Sequence, residues 1–354
     1  MANLAHGQSR DLAARKAPYI WFPAVKAGSG ADVFVERLVA GLHAAGVEAE
    51  ITWFAHSYEL APFLLKLHRP PAGANIIHSN AACAFAFTGW GLPVVATEHH
   101  YVLDPDFDPY KTVLQRAYHR LWIGPWTHRS YRTSTALTAV SQFTANAVTR
   151  SHPSAAPAVI PHWLDYQLFS PMDATVRQAG PFRLLFVGNF SRRKGGDVVE
   201  ELARRLGDDF EIACTAGLRG GRSQAPTGIR VLGQLSRLEL VEAYRSCDAV
   251  LVPSRYEGFG YAALEAMACS KPVVGFRSGA IAEVLDDAGS ELLVEIDDID
   301  RLEACCRLLA KDRALVEHAG AEGRRRAVGC YSQENAIAAY VDLYDSLLNP
   351  KAKQ

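Results

Sequence analysis

From Pro18 onward, short apolar runs alternate with longer stretches whose apolar residues recur every three or four positions. That is the rhythm of parallel strands covered by helices. It occurs in two series. The first predicts strands at Tyr19–Val25, Glu48–Phe54, Asn75–Asn80, Pro93–His99, Ala136–Ser141 and Ala158–Pro161, with helices such as Ala31–Ala45 and Thr112–Trp122 between them. The second predicts strands at Arg183–Gly188, Glu211–Thr215, Ile229–Gly233, Ala249–Pro253, Pro272–Phe276 and Glu291–Glu295, with helices at Asp197–Leu206, Leu238–Ser246, Gly260–Cys269 and Asp300–Ala310. Both series read as open α/β domains with mostly parallel sheets. Ligands of such sheets sit outside the carboxyl ends of the strands, so function is expected in the loops that follow strands.

An N-terminal domain is expected over 17–170 and a second over 182–330. The linker, 171–181, holds polar residues bounded by Ser-Pro and Gly-Pro and has no periodicity. A last amphipathic helix, within 331–349, is followed by no strand and is expected to cross back onto the N-terminal domain. The length of 354 residues suits two cores. A formal net charge of −1 provides no global field for nucleic acid, so any anionic partner must be met locally. The seven cysteines are an odd set without a Cys-x-x-Cys pair, mostly inside apolar runs, which predicts reduced thiols and a cytoplasmic protein. The polar start and the lack of an apolar run near ~20 residues predict neither export nor insertion.

The most informative stretch runs from Asp248 to Gly275: a buried strand, the loop Glu257-Gly258-Phe259-Gly260, then a helix from near Gly260 that carries Glu265. Free amides at a helix start and the positive end of its dipole suit a phosphate, and Gly258 and Gly260 allow close backbone approach. The two carboxylates are too far apart to act as a tight pair and should address different parts of one extended ligand. This stretch resembles the donor motif of family 4 of the retaining glycosyltransferases, the group 1 glycosyltransferases: a Glu, seven intervening residues and a second Glu, in a Glu-Gly-Phe-Gly setting. The resemblance implies the GT-B architecture, two Rossmann-like domains facing across a cleft. It also implies that Glu265 binds the ribose hydroxyls, that Glu257 contacts the donor sugar near the reacting carbon, and that the amides around Phe259, Gly260 and Tyr261 hold the diphosphate.

A second loop, Gly188-Asn189-Phe190-Ser191-Arg192-Arg193-Lys194-Gly195, follows a strand and concentrates positive charge. Cations there could neutralise a departing diphosphate, a role that fits Lys194. The alternative is a solvated basic turn. The loop is similar to the family's Gly-Arg pair and later Lys-Gly, which clamp the donor phosphates. Asn189 stands where Arg is usual, so a second cation has to come from Arg192 or Arg193.

In the N-terminal half, Gly28-Ser29-Gly30 opens a helix but lacks the third glycine of a dinucleotide fingerprint, with Val33 in its place. It resembles the family's glycine loop facing donor and acceptor, and it reads equally well as a tight turn. His99, at the end of a strand, matches a family histidine that reaches the reaction centre, whereas His100 suits a structural role. Ile160-Pro161-His162-Trp163 resembles an Ile-Pro-Asn-Gly passage into the interdomain region, with His and Trp replacing Asn and Gly. No metal is expected: His78, His99, His100 and His162 lack ligand spacing. The Asp-x-Asp triplets Asp104/Asp106, Asp106/Asp108 and Asp298/Asp300 follow no suitable strand.

The segment from Tyr110 to Arg132 interleaves Arg and Lys with Tyr and Trp. It suits peripheral contact with the inner face of a membrane or a lipid diphosphate acceptor, or equally a helix with an aromatic core face and a solvated basic face. The reaction implied by the resemblance is metal-independent transfer of a hexose-type sugar, with retention, to a hydroxyl of a glycan or lipid-linked acceptor, as in cell-surface polysaccharide or glycolipid synthesis. The nucleotide-diphosphate sugar is a co-substrate, with UDP-sugar favoured over GDP-sugar and no other cofactor. Two other readings stand beside it: a sugar-nucleotide epimerase on the same scaffold, and a non-catalytic GT-B binding module.

Overall fold

The computed structural model describes residues 16–28, 30–172, 180–215 and 228–350. Most of the expected linker, and Ser29 of the glycine loop, lie outside the described residues. Two six-stranded sheets form, parallel throughout. The N-terminal sheet contains β1 (Tyr19–Val25), β2 (Glu48–Phe54), β3 (Ile76–Asn80), β4 (Val94–Glu98), β5 (Ala136–Ala139) and β6 (Ala158–Val159), in the order β2-β1-β3-β4-β5-β6. The C-terminal sheet contains β7 (Phe182–Phe186), β8 (Phe210–Thr215), β9 (Ile229–Gly233), β10 (Ala249–Val252), β11 (Val273–Phe276) and β12 (Leu293–Val294), in the order β12-β11-β10-β7-β8-β9. Strand order in the second sheet reverses between β7 and β10, and a crevice opens at such a point beyond the carboxyl ends of the strands. The loops leaving β7 and β10 are the two that carry the basic residues and the paired glutamates.

The helices are α1 (Gly30–Ala44), α2 (Val113–Tyr118), α3 (Gly124–Thr133), α4 (Gln142–Ser151), α5 (Gly196–Leu206), α6 (Arg237–Ser246), α7 (Tyr261–Ala268), α8 (Ala280–Leu285), α9 (Ile299–Lys311), α10 (Arg313–Cys330) and α11 (Gln333–Leu348). One π turn, His119–Ile123, joins α2 to α3, so helical backbone continues eleven residues past the predicted end at Trp122, to Thr133. The strand predicted over Glu291–Glu295 contracts to Leu293–Val294.

The last helix packs on the N-terminal domain. Ala336, Ile337, Tyr340 and Tyr344 join Ile20, Phe22, Phe34 and Leu38 in one core. A Cβ at Gly41 of α1 would collide with Ile337, so the glycine admits that side chain. A buried polar chain pins the same helix: Tyr344 Oη to His78 Nδ1 at 2.6 Å, His78 Nε2 to Thr97 Oγ1 at 2.6 Å, and Thr97 to Thr138 at 2.6 Å. No described helix is long and apolar enough to cross a membrane. Ile337→Ala should destabilise the protein by about 2–5 kcal/mol, through lost burial and a residual cavity. A urea midpoint equal to that of the unmodified protein would show that α11 adds nothing to the core.

Candidate active site

Across the described helices, α4, α6, α9, α10 and α11 begin at a Ser or Asp whose side chain caps the first turn. By contrast α5 and α7, which follow the two loops of interest, begin at Gly195 and Gly260 with no side-chain cap. The Tyr261 and Ala262 amides of α7 face the loop side, where the dipole favours an anion, whereas at α5 the Gly196 amide donates to the Ser191 carbonyl at 3.1 Å and the Asp197 and Val198 amides to the Asp197 carboxylate. Gly195 is obligatory for a second reason. Its φ is +78°, and a Cβ would strike the Pro253 carbonyl, so this glycine lets the β7 loop lie directly on the β10 loop.

The two loops meet through charge. Lys194 Nζ lies 2.5 Å from Glu257 Oε1, and Arg193 Nη1 lies 3.4 Å from the same oxygen while donating to the Tyr256 carbonyl at 3.0 Å. Glu257 is buried, which alone would raise its pKa, but Lys194 and then Arg193 outweigh burial and hold the carboxyl down to about 2. It is therefore anionic throughout the neutral range. Beneath it, the buried Arg255 guanidinium pairs with both oxygens of Asp197 at 2.8 Å and with Asp297 at 2.7 Å, and donates to the Arg192 carbonyl at 2.6 Å. That network fixes the backbone from which Arg193 and Lys194 project. Asn189, where a second phosphate-binding cation was expected to be missing, instead accepts a hydrogen bond from Ser191 Oγ at 2.9 Å. Arg193 is the residue that stands beside Lys194.

Glu265 is buried eight residues further on, and Tyr244 Oη donates to its Oε2 at 2.8 Å. Burial raises its pKa, opposed by Tyr244 and by Arg37. Tyr261, at the first position of α7, stacks on His162 at 4.8 Å between ring centroids, and the Arg37 guanidinium lies 5.3 Å from its ring. Gly30 lies against the Tyr261 ring, whereas Gly28 forms an exposed turn whose amide donates to Asp32 at 2.8 Å.

The N-terminal domain closes on this region. A Cβ at Gly258 would strike the His99 carbonyl, so only glycine permits the contact. The Gly258 carbonyl accepts from Ser141 Oγ at 2.6 Å and Thr144 Oγ1 at 3.0 Å. Glu283 receives the amides of Gln142 and Phe143 at 2.8 and 2.9 Å, and Tyr256 Oη donates to Asp104 Oδ2 at 2.9 Å. The two histidines divide. His99 packs between Phe34 and His162, and burial lowers its pKa to about 4. His100 sits edge-on to Tyr256 within the field of Arg193, Lys194 and Glu257, and burial first, then Arg193, lowers its pKa to about 3. The aspartates of the triplets have other partners: Asp104 and Asp106 meet Arg150, Asp108 meets Lys111, Asp300 meets Arg205, and Asp298 caps α9.

Residues 172–326, which include both loops, match the family model described as glycosyl transferases group 1. Over that segment the chain is similar to the group 1 glycosyltransferases. It is 29% identical over 329 residues to the MMP alpha-(1->4)-mannosyltransferase of Mycolicibacterium hassiacum, covering 84% of this chain and 77% of that protein. It spans about half the length of other curated relatives that it matches. Among solved structures, sucrose-phosphate synthase from Thermosynechococcus elongatus superposes with a TM-score of 0.77 at 19% identity, covering 93% of this chain and 99% of that one. Anabaena HepE in complex with UDP and glucose superposes with a TM-score of 0.74 at 16% identity, covering 93% and 100%. The fold is GT-B.

Within this site, sequence reasoning overlooked Arg255, Asp197, Asp297, Tyr244 and Arg37. Of these, Arg255 alone left a signal: a lone cation between a fully apolar strand and the glycine loop. The buried imidazoles lead to a pH prediction. His78 and His100 have pKa values lowered to about 3, His99 to about 4, and His162 well below the usual range, all chiefly by burial. Below about pH 6.5 the unfolded chain binds protons on these groups and the folded chain does not, so stability falls on acidification by ~1.4 kcal/mol per pH unit for each group. Glu98, raised to about 7 by burial, works the other way, because the folded state holds its proton where the unfolded state releases it. With four imidazoles against Glu98 and Glu265, the net slope is downward between pH 6.5 and about 4.5. Denaturant midpoints over this interval should show it, and His162→Asn should make it shallower. A flat profile in the unmodified protein would refute the assignment.

Proposed function

We propose that this glycosyltransferase moves a hexose-type sugar from a nucleotide-diphosphate donor, with UDP favoured, to a hydroxyl of a glycan or lipid-linked acceptor, retaining anomeric configuration and using no metal. The observation that carries the reading is the Lys194–Arg193–Glu257 cluster, held between two uncapped helix starts at the switch point of the C-terminal sheet. The UDP and glucose in the HepE complex support the choice of donor.

In this reading the donor diphosphate takes over Lys194 and Arg193, and the amides at the start of α7 complete its cradle. Glu257, released from its cations, accepts a hydrogen bond from a sugar hydroxyl. Glu265 holds the ribose with the oxygen that Tyr244 does not use. As the glycosidic bond breaks, negative charge grows on the leaving phosphate, where fixed cations stabilise it without reorganisation. Glu257 is too acidic to donate a proton at neutral pH. Glu98, the carboxyl nearest in sequence to His99, accepts from Tyr131 Oη at 2.5 Å and from the His100 amide at 3.2 Å, so it is committed elsewhere. Same-face attack therefore fits best, with the departing phosphate accepting the acceptor proton. His99 reaches the donor sugar from the opposite domain, and the Gly28–Gly30 turn lines the acceptor side.

Lys194→Ala should lower kcat by roughly 10²–10³, the usual cost of one transition-state donor, and Glu257→Ala should lower it comparably. Glu265→Ala should chiefly raise the donor KM. Unchanged folding by thermal unfolding, with UDP and GDP compared by calorimetry, separates catalysis from stability and tests base choice. Wild-type activity in all three variants, failure to bind either nucleotide, or conversion of a donor without any acceptor would each overturn the reading.

A further inference from the structure

Among the described residues, seven of the twelve exposed large hydrophobic side chains fall in two short stretches of the N-terminal domain. On the 113–133 helix, Val113, Leu114 and Leu121 are 81%, 80% and 74% exposed, and on the preceding 3₁₀ turns Leu60, Leu64 and Leu67 are exposed too. The stretches are in contact: Tyr118 Oη donates to the Glu59 carbonyl at 3.4 Å, and the Phe63 and Trp126 rings lie 6.1 Å apart. They form one face rather than scattered exposed residues, and such a face marks an interaction site.

Its charge is one-sided. Lys66, Arg69, Arg116, Arg120, Arg129 and Arg132 are all exposed, and 60–69 and 112–133 contain no Asp or Glu, in a chain whose net charge is −1; the carboxylates at their edges, Glu59 and Asp108, are paired with His56 and Lys111. Arginines thus flank leucines that project into solvent. A polyanion such as nucleic acid would satisfy the cations and leave the leucines wet. A bilayer rich in anionic lipid satisfies both, taking the leucines into the acyl boundary while the guanidinium groups stay with the phosphates. We propose that this face docks the protein on an anionic lipid surface as a peripheral protein. The face adjoins the cleft, because Phe107 stacks both on His119 of the π turn, at 6.3 Å, and on Tyr256 of the donor loop, at 5.0 Å. Docking would therefore present the cleft to a hydroxyl carried on a lipid. That consequence rests on the transfer reading, and the docking itself does not.

The test is co-sedimentation of the full chain with vesicles of phosphatidylcholine alone and of phosphatidylcholine mixed with phosphatidylglycerol, without any sugar donor. Binding is expected only to the anionic vesicles and should weaken with added salt. Arg116→Glu with Arg120→Glu, and separately Val113→Ser with Leu114→Ser and Leu121→Ser, should each weaken it by about tenfold or more, since each basic residue and each buried apolar group adds to partitioning. The substituted side chains are exposed, so thermal unfolding should not change, and nucleotide binding measured alongside keeps failure of docking distinct from failure of the donor site. Absence of binding to anionic vesicles, equal binding by the variants, or a dimer in solution that the serine variant dissolves would overturn the proposal.

Discussion

A carboxylate can be buried at low cost only where cations are held against it, and that constraint organises the C-terminal half of this protein. Glu257 sits almost out of solvent at the mouth of the sheet, with Lys194 and Arg193 on the same oxygen. Those cations belong to a loop that would otherwise be free to swing. Arg255 prevents this by binding Asp197, Asp297 and the Arg192 carbonyl together, and Gly195 allows the loop to lie on Pro253. Each device would be unfavourable alone: a buried guanidinium, a left-handed residue, an uncapped helix start. Together they leave a pre-paid site in which charge is already arranged before any ligand arrives.

The same loop is also where the two domains meet. Gly258 touches the His99 backbone and offers its carbonyl to Ser141 and Thr144, while Glu283 caps α4 from the other domain. α11, anchored through Tyr344 and His78, ties the end of the chain to the first sheet after the C-terminal sheet is complete. The loop from Glu257 to Gly260 is thus held by the N-terminal domain through His99, Ser141 and Thr144. In the proposed reaction this grip matters because the sugar must lie between Glu257 and the N-terminal histidines, and a shift of about 1 Å in such a geometry costs rate steeply.

Much of this was legible in the sequence, for identifiable reasons. Central parallel strands are buried on both faces, so β1 reads as an apolar run whose ends match the structure, while the edge strands β2 and β9 are only partly buried and match through the turns that bound them. The helices that escaped notice lack large apolar stripes. α10 buries Val316, Ala319, Gly320, Gly323 and Ala327, with Gly320 pressed on the Ser270 carbonyl and Gly323 on Met267, so its packing face is made of absent side chains. α4 is short and polar, and is held largely by Ser141 and Glu283. The site divides in the same way. The glutamates and Lys194 stood out by spacing, but Arg255 gains its meaning from Asp197 and Asp297, 58 and 42 residues away, and Tyr256 from Asp104, 152 residues away. Partnerships of that range leave no local pattern.

The position of Asn189 shows how such a site tolerates change. An arginine there would project from the loop leaving β7, whereas the asparagine turns back onto Ser191, the residue that caps the basic turn. The turn so formed brings Arg193 round to Glu257 beside Lys194. A diphosphate needs positive charge at a given place more than it needs it from a given residue, because the Coulomb interaction depends on distance and dielectric and not on which backbone position supplies the cation. Two cations on one buried carboxylate are one more than neutrality requires. The excess suits a ligand that brings further negative charge, and a structural ion pair alone would not explain it.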